Sequence, residues 1–88
     1  KITTEYFKIT MNDLLGKKRT KNVVVPRQIA MYLCRELTEE SFPHIGELFG
    51  GRDHTTIIHA FTKISSERTK SRQLDNTVKE LINLIENN

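Results

Sequence analysis

Hydrophobic residues recur along most of the chain at intervals of three and four, and no stretch alternates with period two, so the pattern predicts helices and no sheet. A short helix is expected around "TTEYFK". A second falls in "TMNDLLG", with Thr10 placed to cap it, Asp13 at the capping-box position and Gly16 ending it. "KKRTKN" follows as a basic loop without apolar anchors. Pro26 suits the first turn of the next helix, which should run to about Leu37 with Ile29, Ala30, Leu33 and Leu37 as its inward stripe. Gln28 and Arg35, seven apart, share its outward face. Another helix starts at Ser41, a good N-cap, with Pro43 in its first turn, Ile45, Leu48 and Phe49 inward, and Gly50 as its stop. The following helix should bury Ile57, Ala60, Phe61 and Ile64. The last, from about Ser71 to Glu86, sets Leu74, Val78, Leu81, Ile82 and Ile85 at near-heptad spacing, a face better suited to packing on its own domain than to a coiled coil. The expected fold class is all-α, a compact helical domain containing a helix-turn-helix with a preceding basic loop.

Length and composition narrow the picture. The 88 residues suit one domain, 1–88. The chain opens on Lys1 inside a helical pattern, which reads as a segment cut from a longer protein. The lone Cys34 excludes an internal disulfide framework and a four-cysteine zinc site, and fits a reducing compartment. Within "IAMYLC" it reads as a buried structural thiol. No apolar run approaches the ~18 residues a membrane span needs, and no signal peptide is visible.

Net charge is only +3, but it is unevenly placed: residues 1–37 carry +5, 38–62 carry −3, 63–74 carry +3 and 75–88 carry −2. A basic lobe on a nearly neutral chain suits a polyanion on one face, the plainer alternative being a solvated basic surface.

The densest small polar cluster lies in "FGGRDHTTIIHAF", residues 49–61, directly behind two glycines. A helix of about nine residues, a glycine turn and a longer helix with a polar start match the helix-turn-helix plan, in which the second helix enters the major groove. Short side chains are needed at its tip, since long ones would hold the helix off the groove floor. Asp53, His54, Thr55 and Thr56 are short: Asp can accept from cytosine N4, His can bond purine edges, and Thr can pack its methyl on that of thymine. Thr55, His59, Thr62 and Ser66 continue as a polar strip opposite Ile57, Phe61 and Ile64. Asp53 is equally a natural N-cap, so the cluster reads as capping, as base reading, or as both in turn.

Other chemistries find less support. His54 and His59 are five apart rather than the four that places two metal ligands on one helical turn. Ser41, His44 and His54 come with no nucleophile elbow or oxyanion device, which argues against catalysis. No phosphate-binding loop motif is present, so ATP binding is not expected of this segment. A helical protein-interaction module is the alternative from another class. Its surface would be the Leu74–Ile85 stripe or the Met31/Tyr32 pair beside Gln28 and Arg35.

"GGRDHTTIIHA", together with "GKKRTKNVVVPRQIAMYLCREL" upstream, resembles the C-terminal DNA-binding domain (domain IV) of the bacterial chromosomal replication initiator family, DnaA. The resemblance covers nearly the whole chain and is weakest over the final helix. It implies a non-enzymatic, cytoplasmic, nucleoid-associated domain that binds the double-stranded DnaA box, a TTATCCACA-like sequence at the replication origin. It also implies base reading by Asp53, His54, Thr55 and Thr56, and a minor-groove arginine at Arg19. DNA-backbone contacts would fall to Lys18, Lys21, Arg27, Gln28, Arg35, Thr38, Ser41, Pro43, Arg52 and Lys63. ATP, and assembly with other copies of the initiator, would belong to domains outside this segment; protein regulators are further possible partners. Where relatives carry an acid that completes a capping box with Ser41, this chain has His44.

Overall fold

The computed structural model describes residues 6–7, 11–16 and 21–87, with Lys21 described by its backbone alone. Among them are five helices: α1 Met11–Leu15, α2 Lys21–Leu37, α3 Phe42–Leu48, α4 His54–Arg68 and α5 Arg72–Glu86. Tyr6 and Phe7 are helical too, while the remainder of "TTEYFK" and the expected cap Thr10 lie outside the described residues. The all-α expectation holds.

α2 is the hub. One of its sides gives Ala30 and Met31 to a core with Leu14 of α1, Ile45 of α3, Phe49, and Ile57 and Ala60 of α4. The other gives Ile29, Tyr32 and Leu33 to a second core with Ile64 of α4 and Val78 and Leu81 of α5. Such a helix is buried on most of its circumference, so its true stripe is wider than the one read from the sequence. Leu37, expected inward, is half-buried against the second core.

The burial pattern removes the alternative interaction surfaces and corrects the position of one leucine. Met31 and Tyr32 are core residues, 2% and 4% exposed, and offer no surface to a partner. The α5 stripe turns into the molecule, with Val78 and Leu81 fully buried. The surfaces that would have carried the interaction-module alternative are therefore occupied within the fold. Leu48, expected inward, is 53% exposed: Phe49, the next residue, takes the core position as α3 unwinds into its C-cap.

α2 also begins five residues before Pro26, so Lys21 and Asn22 are helical rather than loop, and the proline lies inside the helix. A proline there removes one backbone hydrogen bond and crowds the preceding turn, at a cost of about 3 kcal/mol. Full burial of Val23, worth about 1.5–3 kcal/mol, offsets most of it. Periodicity alone does not weigh those two against each other.

Helix ends follow local chemistry. Ser41 caps α3 by accepting from the His44 N–H at 3.2 Å, with no acid needed at position 44. Asp53 caps α4 and Ser71 caps α5 in the same manner. Arg68, at the end of α4, donates to Asp75 Oδ1 and to the Tyr32 hydroxyl, each at 2.7 Å, and so ties α5 and α2 to one guanidinium. Cys34 is half-buried beside the first core, and burial pushes its thiol pKa up. No helix among the described residues is long and apolar enough to cross a membrane.

Candidate nucleic-acid interface

The turn between α3 and α4 sets the geometry. Gly50 and Gly51 have φ of +82° and +78°, a region costly for residues with a Cβ. Gly46 permits the close approach that follows: the Arg52 N–H donates to its carbonyl at 2.8 Å, and a Cβ at 46 would lie 2.2 Å from the Arg52 carbonyl oxygen. The chain therefore folds back tightly and starts α4 against α3, the helix-turn-helix arrangement.

The first turn of α4 emerges from this hinge with Asp53, His54, Thr55 and Thr56 all exposed, while Ile57 directly after them is fully buried. The core anchors the helix one residue behind its polar tip. Asp53 Oδ1 accepts from the Thr55 N–H at 2.9 Å and from the Thr55 hydroxyl at 3.0 Å, and lies 3.1 Å from His54 Nδ1. The Thr55 N–H, then its hydroxyl, hold the Asp53 carboxyl below the usual range. Asp53 Oδ2 has no hydrogen-bond partner among the described residues, so the carboxylate caps with one oxygen and keeps an acceptor on the other. Thr55, His59, Thr62 and Ser66 are all exposed, as the polar strip requires.

A cleft of about 210 Å³ separates α4 from α2, lined chiefly by Arg27, Gln28, Arg52, Thr56 and His59. Gln28 Oε1 is buried there with no partner among the described residues. The sequence sets His59 on the outward strip without a role in recognition. Its position three residues after Thr56, on the same helical face, is the signal that sets it beside the cleft.

Apart from Gln28, the expected backbone contacts on described side chains fall into three groups. Thr38, Ser41, Pro43 and Lys63 are exposed. Arg35 is half-buried: it donates to the Glu40 carbonyl at 2.8 Å and lies over the Phe42 ring at 4.7 Å, which fixes the α2–α3 junction. Arg27 and Arg52 turn inward. Arg27, only 7% exposed, donates to the carbonyls of Leu14 at 2.9 Å and Asp13 at 2.7 Å. Arg52 donates to the carbonyls of Leu15, Phe49 and Gly16. Burial lowers both guanidinium pKa values, and for Arg52 the neighbouring Arg27 charge lowers it further. Lys18, Arg19 and the Lys21 side chain lie outside the described residues.

Comparison with known proteins gives a consistent result. A family model described as the bacterial dnaA protein helix-turn-helix matches residues 1–64. The chain is 53% identical over 81 residues to the chromosomal replication initiator protein DnaA of Limosilactobacillus reuteri, covering 92% of this chain and 18% of that protein. It is 53% identical over 83 residues to that of Lacticaseibacillus casei, covering 94% and 18%. It is 56% identical over 75 residues to that of Paraburkholderia xenovorans, covering 85% and 14%. The chain thus spans less than a fifth of the length of these relatives. On the match over residues 1–64 and on this identity, the chain belongs to the bacterial DnaA helix-turn-helix family.

Proposed function

We propose that this chain is the DNA-addressing domain of a chromosomal replication initiator, binding DnaA-box sequences in double-stranded DNA without catalysing a reaction. The observation that carries the reading is the tip of α4, four short exposed polar residues held rigidly by the fully buried Ile57 behind a double-glycine hinge. A blunt tip of this kind reaches major-groove base edges. Asp53 Oδ2 is the acceptor for a cytosine amino group, His54 meets a purine edge, and the Thr55 and Thr56 methyls pack on thymine methyls. Arg19 enters the narrow, strongly negative minor groove of the adjoining A·T-rich stretch.

Phosphates fix the register without reading sequence. Lys18, Lys21, Gln28, Arg35, Thr38, Ser41, Pro43 and Lys63 make up this set. Two different grooves read by one asymmetric monomer suit a non-palindromic site, so no dimer is required. Nucleotide control and assembly of several initiator copies, on this reading, lie in the regions of the relatives beyond the matched segment, and the place of action is the bacterial nucleoid in the cytoplasm.

The test is binding to a box duplex and to a scrambled duplex at one moderate salt concentration. Thr55→Ala should reduce the preference for the box by roughly 1–3 kcal/mol. Arg35→Ala should weaken both duplexes alike. Equal weakening of both by Thr55→Ala would overturn the assignment of base reading to this turn.

A further inference from the structure

Two arginines lining the cleft close the end of α1, the shortest of the five described helices. α1 has five residues, too few to be stable alone, and its last carbonyls have no partner within the helix. Four consecutive carbonyls there are taken by two guanidiniums: those of Asp13 and Leu14 by Arg27, and those of Leu15 and Gly16 by Arg52. Arg52 also donates to the carbonyl of Phe49, the C-cap of α3. One side chain thus bridges the point where the chain leaves α1 for the basic segment and the hinge that aims α4. Gly50 belongs to the same joint, since a Cβ there would lie 2.9 Å from the Leu15 carbonyl oxygen.

The arrangement sets two cations side by side, which is unfavourable in itself. The negative carbonyl end of α1 offsets that repulsion. A planar fork with several fixed N–H directions spans carbonyls on two separate segments; a lysine ammonium of equal charge has three donors on a single atom and does not reproduce that spread.

We propose that Arg52, backed by Arg27, is a positioning residue that locks the carbonyl end of α1 to the α3–α4 hinge. It holds the recognition tip in register with the end of α1, rather than acting as a phosphate-binding cation. The role in recognition rests on the DNA-binding reading above; the lock itself does not.

The experiment compares wild type, Arg52→Lys and Arg52→Ala by anisotropy on box and scrambled duplexes across a salt series, with amide hydrogen exchange on the free proteins. Wild-type preference for the box tests the DNA reading separately. For Arg52→Lys, which keeps the charge, the lock predicts about a tenfold loss on the box and a change within about twofold on the scrambled duplex. Exchange at the Gly16 amide, bonded to Asn12 in the intact α1, should accelerate while Ile57 and Ala60 stay protected. The lock is overturned if lysine keeps full box affinity and only alanine loses it, with a salt slope shallower by about 0.9, the mark of one direct phosphate contact. Unchanged exchange at Gly16 in both variants overturns it whatever the DNA does. Should both Arg52 variants unfold, Arg27→Lys carries the same comparison, with the Gly16 amide again the deciding signal.

Discussion

Asp53 Oδ1 accepts two hydrogen bonds from Thr55 and leaves Oδ2 unbonded. Capping and base reading, alternatives when only the sequence is considered, are therefore compatible in one carboxylate with no rotation on binding. Asparagine also caps well but replaces one carboxylate oxygen by a donor amide. Asp53→Asn should leave the melting temperature nearly unchanged and alter the box-to-scrambled ratio, whereas Asp53→Ala should lower both. A melting curve and a competition titration separate the two cases. At Ser41 the effect is simpler: Ser41→Ala removes the bond from the His44 N–H and should cost about 1 kcal/mol of stability, measured by urea unfolding.

Among the helices, Gly46 illustrates what sequence can and cannot reveal. The glycine pair at the hinge and the caps Ser41 and Asp53 are legible because each answers a local backbone demand. Gly46 sits mid-helix, and its reason, the Arg52 backbone pressed against it, exists only once the hinge has folded back. The same holds for Arg27 and Arg52. The family resemblance places them with the phosphate contacts, while their carbonyl partners at the end of α1 are 13 to 37 residues away and invisible to local pattern. The start of α2 departs from the proline signal for a related cause, the tertiary burial of Val23 outweighing it. Gly46→Ala should shift the Arg52 backbone and destabilise the domain by about 1–3 kcal/mol, measured by thermal unfolding, because the clash is with backbone rather than with a yielding side chain.

The α4–α5 junction supplies a pH dependence. Hydrogen bonds from Arg68 and then Lys79 hold the Asp75 carboxyl below its ordinary value. A carboxyl with a depressed folded pKa contributes stability that is fully present above its unfolded value, about 3.9, and is lost as pH falls through the folded one. Stability measured from pH 7 down should decline below about pH 4, and Asp75→Asn should flatten that part of the curve.

At the scale of the molecule, a domain with the modest net charge of +3 concentrates its cations on the N-terminal part of the chain. If about six phosphates are neutralised, the logarithm of affinity should fall with the logarithm of salt at a slope near −5. That term sets affinity but not address. On the proposed reading the address lies in four residues at the tip of α4, and the methyl groups of Thr55 and Thr56 give the most direct test. Each thymine of the box is replaced in turn by deoxyuridine, removing one major-groove methyl, and affinity is measured for wild type and for Thr55→Ser and Thr56→Ser. The account predicts about a fourfold loss for wild type at one or more thymines, the worth of one buried methyl, and no loss at that position for the serine variant lacking the opposing methyl. Identical losses at every thymine in wild type and both variants would contradict it.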